Sequence, residues 1–447
     1  MTATAEPPDI RQAPRRRAAL AALATAQFLV VLSTSIVNVA LPSVRDGLHM
    51  SAAALSWVVN AYVLAFGSLL LLGGRLSDLL GRRRVFTAGT TLFALASLGA
   101  AGAPSAPLLI TARAAQGVGA AFLAPAALAL VLTLFPEGPG RGRALGLWGA
   151  VSGAGGAAGV LLSGLLTQLY GWPAVFLVVV PVAVASLAAT LALVPADTPA
   201  GGGTDVLGAL LSAAGLTALV HALTTKDLVV GSIGAALLAA FCVRQSKARA
   251  PLVPPRLLRT GSVAVANAAM VLLGAVWVGL FYFLPLYQQQ VLGYGPLAAG
   301  LTQLPLALAV IAGSVLAPRL PARTGPPAAL LALTLGLALL ALAPDDGSFE
   351  VHLLGPSLLI GVGLGAAFVR LTALAAEGVP SADSGLAGGL LNTTRQLGGA
   401  LGLALMTAVA PTPADHAAAF ATATVLAAAT TCTATFTTTF TSRRKQS

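Results

Sequence analysis

The sequence predicts an all-α membrane protein with fourteen transmembrane helices, arranged as two six-helix bundles with a two-helix insertion between them. The chain has 447 residues, of which 57% are hydrophobic and only 9% are charged, whereas soluble domains average about 25% charged residues. The apolar residues fall into runs close to the roughly 20 residues that a spanning helix needs. Lys and Arg are concentrated in alternate loops between these runs.

The runs end at polar residues or at Pro and Gly, and they divide the chain into five regions. The regions are a cytoplasmic tail at 1–17, a six-helix bundle at 18–194, a linker with two inserted helices at 195–260, a second six-helix bundle at 261–438 and a cytoplasmic tail at 439–447. The predicted spans are 18–41, 53–72, 86–103, 107–134, 144–166, 174–194, 206–223, 228–243, 261–286, 297–318, 326–343, 352–375, 384–409 and 416–438.

The distribution of basic residues predicts which ends of the helices face the cytoplasm. With the N-terminus inside, 20 of the 25 Lys and Arg residues lie in cytoplasmic segments, and only Arg45 and Lys226 lie outside. Arg113 lies within a span, and Arg370 and Arg395 are predicted near cytoplasmic helix ends. Because cytoplasmic loops are enriched in Lys and Arg, we expect both termini in the cytoplasm. The net charge of +11 therefore reflects topology, and we predict no nucleic-acid partner.

A weak internal repeat supports the division into two halves. Residues 119–122 are repeated at 365–368, an offset of 246, and residues 75–76 are repeated at 319–320, an offset of 244. Transporters are commonly built from such repeats, with the substrate path at the interface between them. The sequence therefore favours a transporter.

The loop after the second span carries the most specific motif. Within 73–84 an acid, a glycine and a basic cluster follow one another at fixed spacing. A positive-inside anchor would explain the arginines but not the acid or the glycine. The segment resembles the signature loop between the second and third helices of the major facilitator superfamily. This resemblance implies a conformational latch formed by Gly74, Asp78, Gly81, Arg82 and Arg83.

Further motifs resemble the fourteen-span drug/proton antiporter family within that superfamily. They lie at 33–42, 57–62, 113–119, 288–301 and 392–399. The resemblance implies export of a drug, antibiotic or other secondary metabolite by alternating access and proton antiport, across the bacterial plasma membrane. It also implies no cofactor beyond the proton gradient, and function as a monomer in the lipid bilayer. No enzyme activity is predicted, because no nucleophile–base pair, phosphate loop or metal cluster can be assembled from these residues.

Arg113 is predicted within the membrane, where a charge is expensive and by default suggests function. The family usually has an aspartate at the place of Ser33, and a serine can neither neutralise an arginine nor titrate near neutral pH. Two interpretations stay open. Arg113 could clamp helices by bonding Gln116, hydroxyls and carbonyls, or it could act in coupling or substrate recognition, together with Ser33, Asn38, Gln116 and Arg395.

The remaining polar residues bear on the substrate. No Asp or Glu falls in mid-membrane, so an amphipathic substrate that is neutral or anionic is favoured over a lipophilic cation. Candidate pocket residues are Asn60, Tyr62, Tyr282, Asn392 and Gln396. Ser33 and Val160, which replaces a family proline, leave open an uncoupled or differently coupled facilitator, and a sensor that moves no solute is a further alternative. The two cysteines and four histidines show no ligand spacing, so no metal site is predicted.

Overall fold

The computed structural model describes residues 12–135, 139–197, 199, 203–258, 261–321, 325–377, 379 and 383–444. All regular structure in these ranges is helical, as the sequence predicted. Within them, 11 helices are long and apolar enough to cross a membrane. The predicted spans at 326–343, 384–409 and 416–438 correspond to helices that are not among the eleven, so the count of fourteen stays a prediction.

The helices before the linker are as follows: α1 (Gln12–Gly47), α2 (Ala52–Leu80), α3 (Arg82–Ala101), α4 (Ala106–Leu134), α5 (Pro139–Tyr170), α6 (Ala174–Leu177) and α7 (Val179–Leu193). The inserted pair is α8 (Val206–Thr225) and α9 (Leu228–Lys247), followed by the short α10 (Pro255–Leu258). The remaining helices are α11 (Gly261–Leu286), α12 (Pro296–Leu316), α13 (Gly325–Ala341), α14 (Leu354–Ala376), α15 (Ser384–Val409) and α16 (His416–Arg444).

Short polar side chains define several helix starts, because the first backbone N–H groups of a helix have no partner within it. The hydroxyl of Ser51 accepts from the backbone N–H of Ala54 at the start of α2. Asp205 and Asp227 cap α8 and α9 in the same way. Gly81, with φ of +98°, separates α2 from α3, and this conformation favours glycine.

The helices before and after the insertion pack mainly among themselves. In the described part of the chain, the N-terminal group (α1–α7) meets the C-terminal group (α11–α16) mainly where α2 packs on α15 and α5 on α12, with smaller contacts of α1 with α11 and α12. We call the end of the molecule that carries the loop 48–51 the distal face, and the end that carries Gly81 the latch face. These helices form the boundary at which the sequence predicts a substrate path.

Glycines show how the two groups correspond. A Cβ added to Gly117 on α4 would lie 2.5 Å from the carbonyl oxygen of Tyr62 on α2, and one added to Gly361 on α14 would lie 2.6 Å from that of Leu306 on α12. Gly117 and Gly361 are 244 residues apart, as are Tyr62 and Leu306. Equivalent contacts in the two groups therefore share the offset of the 75–76 repeat.

The other repeat, at offset 246, does not align equivalent positions. Gly119 approaches Gly89 on α3, whereas Gly365 approaches Val310 on α12. The sequences 119–122 and 365–368 match because both α4 and α14 use several small residues to approach their neighbours. Short Gly-Ala segments can therefore recur at positions that are not structurally equivalent.

The inserted helices are fastened to each other at the latch face. The buried carboxylate of Asp205 accepts from the backbone N–H of Gly208 at 2.9 Å, from Arg244 Nε at 2.5 Å and from Gln245 Nε2 at 2.7 Å. The hydrogen bonds from Gly208, Arg244 and Gln245 outweigh the opposing effect of burial, so the pKa of Asp205 lies below its usual range. This pair is not isolated, because α8 packs on both α2 and α15.

Candidate functional site

Arg113 is the centre of a buried polar cluster formed by α1, α2 and α4. Its side chain is only 1% exposed. Nε donates to the carbonyl of Val58 at 2.9 Å, and Nη1 donates to Gln116 Oε1 at 2.6 Å. Nη1 also lies 3.4 Å from Ser33 Oγ, and the guanidinium carbon lies 4.3 Å from the centre of the Tyr62 ring. All of these partners are neutral.

The absence of a counter-ion is the unusual feature of this cluster. Among the residues that the structure describes, no Asp or Glu forms an ion pair with Arg113. A buried charge is costly unless it is paired or hydrogen-bonded, and here carbonyls, an amide and the face of an aromatic ring offset that cost. Gln116 is itself held in place, because its Nε2 donates to Ser97 Oγ at 2.8 Å. The cluster can thus hold a guanidinium inside the membrane without an acid.

A second arginine lies deep in the C-terminal group. Arg395 Nη2 donates to Asn392 Oδ1 at 2.9 Å, and its guanidinium carbon lies 5.8 Å from the Trp277 ring centre and 5.4 Å from that of Phe368. Since α15 begins at Ser384, Arg395 is about 16 Å along the helix. The prediction that Arg395 lies near a helix end is therefore wrong, and Arg113 is one of two arginines deep in the described helices.

Tyr62 lies between Arg113 and the helix that carries Arg395. Its ring lies against Arg113, and its hydroxyl donates to the carbonyl of Val30 at 3.2 Å. Arg113 belongs to the N-terminal group and Arg395 to the C-terminal group, and α2, which carries Tyr62, packs on α15. The three side chains therefore span the boundary at which a substrate would pass.

The other predicted pocket residues are dispersed. Asn60 is fully buried, and neither its amide oxygen nor its amide nitrogen has a partner among the described residues. Gln396 Nε2 is likewise buried without a hydrogen-bond partner among the described residues. Within the part of the chain that the structure describes, Asn38 bonds only the carbonyl of Thr34 in its own helix, at 3.4 Å. Tyr282 lies away from the two arginines and lines a cavity at the distal face. The structure thus brings Tyr62 to Arg113 and Asn392 to Arg395, but not Tyr282.

The predicted latch residues meet around the start of α3. Asp78 and Arg82 form an ion pair at 3.6 Å between half-exposed side chains, and Arg82 also donates to the hydroxyl of Thr133 on α4. Arg83 donates to the carbonyl of Leu191 at the end of α7, at 2.7 Å. The two arginines therefore connect α3 to α4 and α7. Exposed ion pairs of this kind contribute little on their own.

Gly74, predicted as part of the latch, is not the glycine at a close approach. A Cβ at Gly74 would find its nearest neighbour, Pro125, at an ordinary 3.8 Å. A Cβ at Gly73 would overlap the carbonyl of Ala121 on α4. The requirement for glycine in this motif therefore falls on Gly73, where α2 meets α4, and on Gly81, where the backbone turns.

Asp197 joins the predicted latch residues in space, and the sequence did not identify it. Its carboxylate accepts from the backbone N–H groups of Arg82 at 2.6 Å and Arg83 at 3.0 Å. Burial raises the pKa of Asp197, but these backbone hydrogen bonds lower it more, so the pKa lies below its usual range. The only available signal is an acid in the linker that follows α7. Nothing in its spacing points to a helix start more than a hundred residues earlier.

The fold and the site define a helical membrane transporter rather than an enzyme. The model of the Major Facilitator Superfamily matches residues 23–403, and the chain belongs to that superfamily. It is 42% identical to the puromycin resistance protein of Streptomyces alboniger over 89% of this chain and 82% of the relative. It is 43% identical to the cephamycin export protein of Amycolatopsis lactamdurans (88% and 84%) and 36% identical to the lincomycin resistance protein of Streptomyces lincolnensis (88% and 84%).

Proposed function

We propose that this protein exports an antibiotic or a similar small organic compound from the cytoplasm by alternating access, driven by the proton gradient. Relatives named for resistance to, or export of, puromycin, cephamycin and lincomycin support the export role. The proposal includes the fourteen-span organisation of the drug/proton antiporter family, with both termini in the cytoplasm of a bacterial cell. One chain in the plasma membrane is the functional unit, and lipid is its environment.

The observation that carries the substrate proposal is the pair of deep arginines with neutral partners. Arg113 and Arg395 each bond amides, carbonyls or aromatic rings, and no described Asp or Glu pairs with either. A cationic drug beside them would meet two like charges in a medium of low dielectric constant, which is unfavourable. Carbonyl, hydroxyl and carboxylate groups would find donors. We therefore propose a neutral or anionic amphipathic substrate.

The test is flux into inside-out proteoliposomes with an imposed pH gradient. The probes are cefoxitin, a cephamycin that carries a carboxylate, and its neutral methyl ester. We expect gradient-driven uptake of both, which Arg395→Gln slows more for the acid than for the ester and which Arg395→Lys partly restores. Equal transport of a dicationic analogue of the ester would contradict the substrate proposal. Uptake that ignores the gradient would contradict proton coupling.

A facilitator without proton coupling is the second candidate, and one observation favours it. Ser33 Oγ lies 3.4 Å from Arg113 Nη1, at the position where the antiporter family usually has an aspartate. If the missing acid removes coupling, Ser33→Asp should create pH-dependent flux where the wild-type protein shows none. Thr25→Asp is the matched control, since Thr25 lies on the same helix and, within the described ranges, bonds only the carbonyl of Ala21. No change in Ser33→Asp, or the same change in both variants, would count against this candidate.

A further inference from the structure

Two hydrogen bonds from one short segment connect the N-terminal and C-terminal groups at the distal face. The segment Tyr287–Val291 continues α11 as a π-helical turn, a geometry that often marks functional sites. Gln289 Nε2 donates to the carbonyl of Val39 on α1 at 2.8 Å, and Gln290 Oε1 accepts from Arg45 Nη1 at 3.3 Å. The glutamines, which the sequence analysis noted only as part of a motif, therefore hold the end of α1 to the end of α11.

Arg45 also lines a cavity of about 100 Å³ at this face. The cavity lies where both groups meet the inserted helix α8, and its lining includes Arg45, Leu55, Thr224, Tyr282, Thr407 and Thr412. Side chains from α1, α8, α11 and α15 thus surround one guanidinium.

The charge of Arg45 is not neutralised within the described part of the chain. The ion pairs there involve other residues, and the hydrogen bond from Arg45 goes to the neutral amide of Gln290. Asp46, the next residue in the chain, is exposed and forms no ion pair with Arg45 among the described residues. Asp415, near the cavity wall, accepts instead from the backbone N–H and the hydroxyl of Thr412 at 3.0 and 2.7 Å. A half-buried guanidinium with a neutral acceptor at 3.3 Å is well suited to exchange that acceptor for an oxyanion, because charge-assisted hydrogen bonds are stronger.

We propose that this cavity is an exit-side binding site for an anionic group, such as a carboxylate, on the exported compound. The inference rests on the proposed export function for its direction. The cavity is smaller than the 300–1,000 Å³ of whole-ligand pockets, so it takes the charged group and the atoms beside it. An anion on Arg45 displaces Gln290 and removes one of the two hydrogen bonds between α1 and the π-helical turn. Occupation of the site therefore favours separation of the two groups at this face.

The experiment measures equilibrium binding of cefoxitin and of its methyl ester to the full-length protein in nanodiscs. Arg45→Gln removes the charge, Arg45→Lys keeps it, and Lys226→Gln removes another distal-face cation that does not line the cavity. We expect Arg45→Gln to weaken binding of the acid about tenfold or more, corresponding to about 1.4 kcal/mol, and to leave the ester unchanged. Arg45→Lys should retain most of the affinity for the acid, and Lys226→Gln should change neither ligand.

Several outcomes would overturn the proposal. Equal weakening of acid and ester by Arg45→Gln would mean that Arg45 supports the structure only, and the thermal midpoint of each variant detects that case. Unchanged binding of the acid, or no binding of it by the wild-type protein, would also reject the site. The export function is judged separately by flux in proteoliposomes. Binding of the acid that depends on Arg45, without any flux, would reject export and keep the site. Flux by the wild-type protein, with neither flux nor binding changed by Arg45→Gln, would keep export and reject the site.

Discussion

Replacing Asp197 by Asn should weaken the latch without removing any of the residues that the motif contains. The carboxylate of Asp197 accepts from two backbone N–H groups, at 2.6 and 3.0 Å, where α3 begins. The amide keeps one acceptor oxygen but loses the negative charge, which interacts favourably with the positive end of the helix dipole. The loss of a capping interaction costs about 0.5–2 kcal/mol. We therefore expect Asp197→Asn to lower the free energy of unfolding by about 1 kcal/mol.

Asp227→Asn is the matched control for this change. Asp227 also accepts from two backbone N–H groups, those of Val229 at 2.9 Å and Val230 at 3.1 Å, but it does so at the start of α9. Thermal unfolding of the purified protein in detergent should show lower midpoints for both variants. Proteoliposome flux should fall only for Asp197→Asn, because Asp197 bonds the backbone of Arg82 and Arg83 and Asp227 does not. Equal flux in the two variants would refute a latch role for Asp197.

The pH dependence of stability gives a second check on Asp197. Its folded-state pKa is lower than usual because the hydrogen bonds from the Arg83 and Arg82 backbones outweigh the opposing effect of burial. A carboxyl group with a depressed pKa contributes stability above its unfolded pKa of about 3.9, and that stability is lost as the pH falls through the lower folded value. The thermal unfolding midpoint of the wild-type protein should therefore decrease once the pH drops below about 4. The difference between wild type and Asp197→Asn should shrink over the same range.

Two further predictions test close packing and the insertion. Gly73→Ala should lower the unfolding midpoint and the flux, since its Cβ would overlap the backbone of Ala121, at a cost of about 1–3 kcal/mol. Gly74→Ala is the control and should be tolerated, because the nearest neighbour of its Cβ lies at 3.8 Å. Similar losses in both variants would contradict this reasoning. Arg244→Gln should destabilise the inserted pair by leaving the buried Asp205 without its ion-pair partner. Faster proteolysis at the latch-face ends of α8 and α9, with no such change in Arg249→Gln, would support this, and unchanged proteolysis would reject it.

The helix positions were predictable because hydropathy reports burial in lipid directly. The run at 206–223 became α8, Val206–Thr225, and the run at 384–409 became α15, Ser384–Val409. Errors occur where a helix continues beyond its apolar part. The run at 53–72 became α2, Ala52–Leu80, since Gly73 to Leu80 remain helical while carrying the polar latch residues. The span predicted from hydropathy ends where the residues become polar, whereas the helix itself ends only at Gly81.

The site was less predictable, because it depends on contacts between residues distant in the sequence. Gln116 lies three positions from Arg113 and could be identified as a partner from helical spacing. Asp197 and Arg82 are far apart in the chain, and no local pattern relates them. The depth of Arg395 was misjudged because the polar residues around it resemble a helix end. Tyr282 was grouped with Asn392 although it faces Arg45 at the distal face.

The neutral surroundings of Arg113 and Arg395 have a consequence for how the ligand itself can be studied. Guanidinium groups keep their proton in proteins, and amides, hydroxyls and carbonyls do not titrate under physiological conditions. The charge that these groups present to a compound is thus constant from mildly acidic to mildly alkaline solution. A plot of the logarithm of the affinity for a weak acid against pH should change slope at the pKa of that acid. A titration series over several compounds would then reveal which ionic form is carried.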